Sequence, residues 1–273
     1  MNPQPSESSP PLTISDVFAF LRELAPLELA ESWDNVGHLW GDAQARVSRV
    51  MTCLTLSPDV AEEAIRGRAE LIVVHHPILF RSVQRLTHET PAGGMLLALA
   101  RHGVAVYCAH TAYDNAWEGI NRQLAGRLEL EAVGPLRFPN SADGHPGIGR
   151  MGRLPQARSL KDLIADVKRQ LGVAGLQFVG PRDLRVERVG IACGSGGDFL
   201  EDAIQRGCQV LLTGEARFHS CLEARERGLA LILLGHFASE QPAMQRLADQ
   251  IQERFPTLEV RSSTVESDPI ATR

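Results

Sequence analysis

Residues 50–76 read VMTCLTLSPDVAEEAIRGRAELIVVHH, and residues 189–215 read VGIACGSGGDFLEDAIQRGCQVLLTGE. The two lie over each other without a gap at a constant offset of 139, so that Asp59, Glu62, Ala64 and Ile65 meet Asp198, Glu201, Ala203 and Ile204. Each stretch runs from an apolar, strand-length segment through an amphipathic helical pattern into a second apolar strand. Four identities in so short a window are weak alone, but the matching order of elements strengthens them. The pattern predicts two copies of a βαβαβ-like unit facing each other.

Working outward, the first half reads as helix 15–29, strand 50–55, helix 58–66, strand 71–74, helix 93–101, strand 104–108 and helix 119–127. The second half reads as strand 188–193, helix 198–206, strand 209–213, helix 218–227, strand 230–234 and helix 241–254, with a last strand over 258–262. Alternation of this kind is the signature of an α/β fold. The expected organisation is a disordered Pro/Ser-rich tail (1–12), an N-terminal α/β lobe (13–133), a connector with one helix near 160–171 (134–184), a C-terminal α/β lobe (185–263) and a flexible tail (264–273).

The composition bounds the rest. In 273 residues, 44% are hydrophobic and the net charge is only −5, which excludes a chain that is mainly disordered. No apolar run approaches the roughly 18–20 residues of a membrane-spanning helix. The opening MNPQPSESSPP carries neither positive charge nor an apolar segment, so no secretory or mitochondrial leader is expected and the location expected is cytoplasmic. A pI near 6.0 provides no basic footprint for nucleic acid. The five cysteines form no CxxC pair and read as buried thiols of a reducing compartment.

Chemistry-bearing residues collect where strands end. Val73-Val74 runs into His75-His76-Pro77, Val106–Cys108 into His110, and Leu231–Leu234 into Gly235-His236. In parallel α/β sheets the loops at these ends converge over the sheet edge and hold ligands. Four residues after His110 comes Asp114, and four after His236 comes Glu240. Neutral imidazoles and ionised carboxylates are a ligand set for Zn, Fe or Mn ions, and a carboxylate can bridge two of them. An adjacent His pair or a single His-x-x-x-Asp is ordinary taken alone. Their joint occurrence at equivalent points of a repeat is what favours a metal centre.

Cysteine ligation is not expected, because no cysteine is read in these loops. Glu215 aligns with His76 in the repeat and is a candidate general base or an acceptor behind the site; His219 is a candidate for the same outer layer. Residues Trp33-Asp34-Asn35 read as a turn with side chains bonded to local backbone. The run Gly194-Ser195-Gly196-Gly197-Asp198 lacks the Lys and Ser/Thr of a P-loop, and reads as a tight turn entering a helix.

These residues carry a resemblance. Trp33-Asp34-Asn35-Val36-Gly37, Val74-His75-His76-Pro77, His110-Thr111 with Asp114, Gly119 with Asn121, Gly149-Arg150-Met151-Gly152, Gly194-Ser195-Gly196-Gly197, Thr213-Gly214-Glu215 and Gly235-His236 with Glu240 resemble the GTP cyclohydrolase 1 type 2 family, also called Nif-three-like. The likeness runs in the family's motif order from about residue 14 to 262. It implies a two-lobed α/β fold with two divalent metal ions in the cleft, held by His75, His76, Asp114, His236 and Glu240, with Glu240 between the ions. It places His110 as an orienting neighbour rather than a ligand. It further implies a toroidal homohexamer and a metal-dependent hydrolase acting on a small molecule, a nucleotide or related heterocycle. The competing readings are a non-enzymatic metal-binding or metallochaperone protein and a ring linked to DNA-damage tolerance. His38 and Trp117 depart from the family wording and are expected to influence which substrate fits.

Overall fold

The computed structural model describes residues 11–81, 83–137 and 147–271. His145 and most of the N-terminal tail lie outside them. The first half comprises α1 (Ile14–Leu24), β1 (Gly37–Trp40), β2 (Arg49–Cys53), α2 (Pro58–Arg66), β3 (Leu71–Val74), α3 (Pro91–Arg101), β4 (Ala105–Cys108), α4 (His110–Asn115) and α5 (Ile120–Arg127). Then follow β5 (Glu131–Gly134), β6 (Arg150–Ser159), α6 (Leu160–Leu171), β7 (Gln177–Val179), β8 (Arg185–Ala192), α7 (Leu200–Gln205), β9 (Val210–Thr213) and α8 (Phe218–Glu226). The chain closes with β10 (Ala230–Leu233), α9 (His236–Glu240), α10 (Pro242–Arg254) and β11 (Glu259–Ser262). Among the described residues no helix is long and apolar enough to cross a membrane.

Local chemistry explains the boundaries. Ser57 accepts from the Val60 N–H and Pro58 takes the first helical position of α2, where a missing N–H costs nothing. Thr90 and Pro91 do the same for α3. Ser159 caps α6, which ends on Gly172 in the left-handed region. Helix α1 stops at Leu24 rather than running to residue 29, because Ala25 precedes Pro26 and is forced into an extended conformation. A short 3-10 turn, Leu27–Leu29, follows instead.

Two sheets result, ordered β1-β4-β3-β2-β11 and β5-β6-β8-β9-β10-β7. The repeat is visible in their centres. β2, β3 and β4 are parallel, as are β8, β9 and β10, and each third strand carries an antiparallel neighbour, β1 or β7. Two expectations about organisation are corrected. The stretch read as a connector supplies β6 and β7 to the second sheet, and β5 joins it too. The last strand, placed with the C-terminal lobe, pairs in parallel with β2 and so belongs to the first sheet.

Alternation along the strands sorts the core. Val50, Leu71, Val73, Val189, Val210 and Ile232 face a single continuous hydrophobic cluster shared by both sheets. Met51, Ile72 and Val74 face a second cluster against α2 and α3; Leu211 and Leu231 face a third that includes Ala203 of α7 and Ala224 of α8. Strands buried on both faces read as unbroken apolar runs for this reason. Residues 264–271, expected to be a flexible tail, are tied down: Thr264 bonds to Glu63, and the Glu266 carboxylate accepts from the Leu54 and Thr55 N–H groups.

Candidate metal centre

The carboxyl ends of β3, β4, β8 and β10 meet in a cleft of about 290 Å³ lined by residues from both halves. His75 and His76 continue β3, their N–H groups donating to Cys53 O and Leu54 O, so both stand at the sheet edge. His110 opens α4 and His236 opens α9. In each helix the carboxylate four residues on, Asp114 or Glu240, falls on the same face one turn later. The four imidazoles form a chain. Ring centroids are 5.1 Å apart for His75 and His76, 5.2 Å for His75 and His110, and 5.3 Å for His76 and His236.

Three imidazoles are anchored from behind. His110 Nδ1–H donates to Asp34 Oδ1 at 2.8 Å, and His236 Nδ1–H donates to Glu215 Oε1 at 3.0 Å. A carboxylate only accepts, so the proton on each pair is fixed at Nδ1. His76 Nδ1 lies 2.8 Å from Thr55 Oγ1. The inner nitrogens then converge: Glu240 Oε2 is 3.0 Å from His76 Nε2, 3.1 Å from His236 Nε2 and 3.8 Å from His75 Nε2. Asp114 Oδ1 is 3.6 Å from His75 Nε2.

His75 is wholly buried, and neither ring nitrogen has a hydrogen-bond partner. Leaving such a group unsatisfied costs about 1–3 kcal/mol, so an imidazole placed in this way suits a partner that takes its lone pair. Burial drives His75 down to about 3, with neighbouring imidazoles adding to the effect against Glu240. Burial and the Glu240 charge push Asp114 up to about 7. Burial opposes ionisation of Glu240 too, yet His236 and His76 hold it well below the carboxylate range. The hydrogen bond to Glu240 lifts His236 to about 9. In this state a proton on His236 supplies the positive charge the cluster needs. A cation bound at the inner nitrogens would take over that role while Nδ1 stayed on Glu215.

Two triads have ligand atoms within 4.8 Å of one another: His75 with His76 and His110, and His76 with His236 and Glu240. The residues therefore fit a metal site. The donors are imidazole nitrogens and carboxylate oxygens, one buried imidazole lacks any other partner, and the anchoring carboxylates are those that accompany metal-bound histidines. His110, expected as an orienting neighbour, lies in one triad; Asp114, expected as a ligand, lies in neither.

The remaining expectations divide. Glu215, expected as a candidate base or an acceptor behind the site, is half-exposed and accepts from His236 Nδ1–H. His219 is not brought to the cleft: it is exposed at the start of α8, where its ring meets Phe218. His38 packs on Phe18 and contacts Trp40 O, and Trp117 points to solvent, so neither lines the cleft. The Gly194–Gly197 run is indeed a turn, with Gly196–Phe199 forming a 3-10 entry to α7. Three contributors were not read from the sequence. Asp34 reaches 76 residues along the chain to His110 and also bonds Thr111, Thr55 backs His76, and Cys193 lines the cleft with Sγ 3.2 Å from Asp114 Oδ1. β8 ends at Ala192, one residue earlier than expected, so Cys193 belongs to the loop after all.

Comparison with known proteins agrees with this geometry. Residues 12–269 match the Duf34/NIF3 family (NGG1p interacting factor 3). The chain belongs to the Duf34/NIF3 family. Within it, the chain is 33% identical over 241 residues to a Clostridium acetobutylicum protein called GTP cyclohydrolase 1 type 2 homolog, covering 88% of this chain and 90% of the relative. It is 32% identical over 260 residues to the Schizosaccharomyces pombe Protein NIF3 homolog, covering 90% and 92%. The crystal structure of Staphylococcus aureus protein SA1388 superposes with a TM-score of 0.87 at 26% identity, covering 97% of this chain and 100% of the other. A Bacillus cereus protein related to NIF3 shares the Duf34/NIF3 fold, with a TM-score of 0.88 at 20% identity, covering 97% and 100%.

Proposed function

We propose that this protein holds two divalent metal ions between its lobes and uses them to hydrolyse a nucleotide or related heterocycle. His75, His76, Asp114, His236 and Glu240 would hold the ions. The observation that carries the reading is the convergence of inner histidine nitrogens on Glu240 while Asp34, Thr55 and Glu215 hold the outer ones. When bound, such ions activate water near neutral pH and polarise the bond under attack. The chain's own residues supply the rest. Glu215 and Asp34 keep their imidazoles in one tautomer and one orientation. On the facing wall Arg137, held by Asp202 and lying 4.2 Å over the Phe199 ring, offers positive charge to an anionic substrate group. The name of the Clostridium relative favours GTP as the first substrate to try. The same reading takes the working form as a cytoplasmic homo-oligomer, a hexamer by likeness to the family.

The test is formate release from GTP by metal-replete protein, wild type against Glu240→Ala. Turnover lost in the variant supports hydrolysis at the cluster. Equal traces in both indicate chemistry elsewhere. No turnover in either, with metal bound, rejects GTP and turns attention to other nucleotides and to metal transfer.

A further inference from the structure

The loop that enters β1 carries an indole beside the metal cluster. Trp33 lines the cleft and is 59% exposed, while its ring meets His110 at 6.1 Å and 76° and Phe80 at 6.0 Å and 79°. Neither neighbour lies parallel to the indole, so a planar ring entering the cleft finds it open for stacking. The exposure is not that of a loose segment. Glu31 N–H donates to Thr111 Oγ1 at 3.0 Å, Asp34 N–H to Glu31 O at 2.9 Å and Asn35 Nδ2 to Leu79 O at 2.9 Å, while the Asp34 carboxylate accepts from His110 and Thr111. A second group on the same loop lines the same cleft. It is Glu31, whose carboxylate has no hydrogen-bond or ion-pair partner among the described residues. The Asp202 hydrogen bond, working against burial, holds Arg137 above its ordinary value and the Glu31 charge adds to it, so Glu31 and Arg137 lie within electrostatic reach across the cleft.

We propose that Trp33 and Glu31 form the subsite for the heterocyclic ring of the substrate, the ring lying on the indole and donating an N–H to the Glu31 carboxylate; this deepens the nucleotide reading above and rests on it. An attached phosphate then points to Arg137. Stacking accepts any planar base, so the indole sets affinity. The carboxylate sets choice, because it only accepts hydrogen bonds. A guanine-type edge, with a ring N–H beside an amino group, offers it two donors. Adenine offers one donor beside a lone pair, which the carboxylate repels. The 6.1 Å between the Trp33 and His110 rings keeps a stacked base next to the cluster.

The experiment titrates metal-replete protein calorimetrically with guanosine, inosine and adenosine 5′-monophosphates, and with ribose 5-phosphate as a base-free control. Wild type is expected to bind the guanine nucleotide most tightly. Trp33→Leu should weaken every nucleotide by about 5–150-fold, the usual loss of one base–aromatic stack, and Trp33→Phe should regain most of it. Glu31→Gln should narrow the gap between guanine and adenine. Metal content should stay the same in all three variants. Equal affinities in wild type and Trp33→Leu, an unchanged guanine-to-adenine ratio in Glu31→Gln, or ribose 5-phosphate binding as tightly as the nucleotides would overturn the assignment. So would a Trp33→Leu protein altered only in its oligomeric state, which would make the indole a contact between copies. Binding as expected without turnover of GTP would reject the hydrolase and leave the subsite standing. No nucleotide bound by metal-loaded wild type would reject both.

Discussion

Gly194 has a positive φ of 59°, and a Cβ there would run into the Glu240 carboxylate. Both facts demand glycine. Gly194→Ala is expected to cost about 1–2 kcal/mol from backbone conformation, and to displace Glu240 as well. Metal content should therefore fall further than the melting temperature suggests, and full metal retention in a destabilised variant would refute the coupling. Asp34 makes a complementary case, since it touches no inner nitrogen and instead holds His110, Thr111 and the Asn35 N–H. Asp34→Asn is expected to weaken metal binding by roughly 10–100-fold, as loss of such outer partners usually does; competition with a chelator measures it. At this scale the sequence was readable where identity and strand-end position coincide, as at His75, His76 and Glu240. It was not readable for Asp34 and Thr55, whose roles depend on contacts across 76 and 21 residues. Cys193 escaped because of a one-residue error in where β8 stops.

Among the elements, the parallel strands at the centre of each sheet were legible because both faces are buried and nothing polar interrupts them. β1, β5, β6 and β7 were not. They are short or polar, β6 carries Pro155, and their pairing is antiparallel to partners far away in sequence. β11 reads as a strand, but no local pattern says which sheet it joins. Glu63 of α2 helps to hold the segment that follows β11, accepting from Ser263 Oγ, Thr264 N and Oγ1, and Arg261. Burial opposes its ionisation, yet these donors hold its carboxyl below the ordinary 4.5. Because the folded value is the lower one, its contribution is complete above the ordinary range and disappears as pH falls through the depressed value. Glu63→Gln is expected to lose about 1–3 kcal/mol at neutral pH and to flatten the acid side of the stability profile. Denaturant melts at several pH values decide it, and parallel acid profiles for both proteins would count against the assignment.

For the whole molecule, the two lobes are not independent bodies joined by a linker, since one apolar cluster runs through both and the chain's end completes the sheet of its beginning. Removing residues 259–273 should leave β2 as an unpaired edge, and such edges recruit other chains. Light scattering should show aggregation of the truncated protein, and a monodisperse, metal-loading product would contradict this. The pairing of Glu259 with Arg49 also has a meaning on the ribosome. At roughly 5–20 residues per second, the partner of β2 is made about 10–40 s after β2 itself. Through that interval the nascent N-terminal half carries β2 with one flank open, paired only to β3 on the other side.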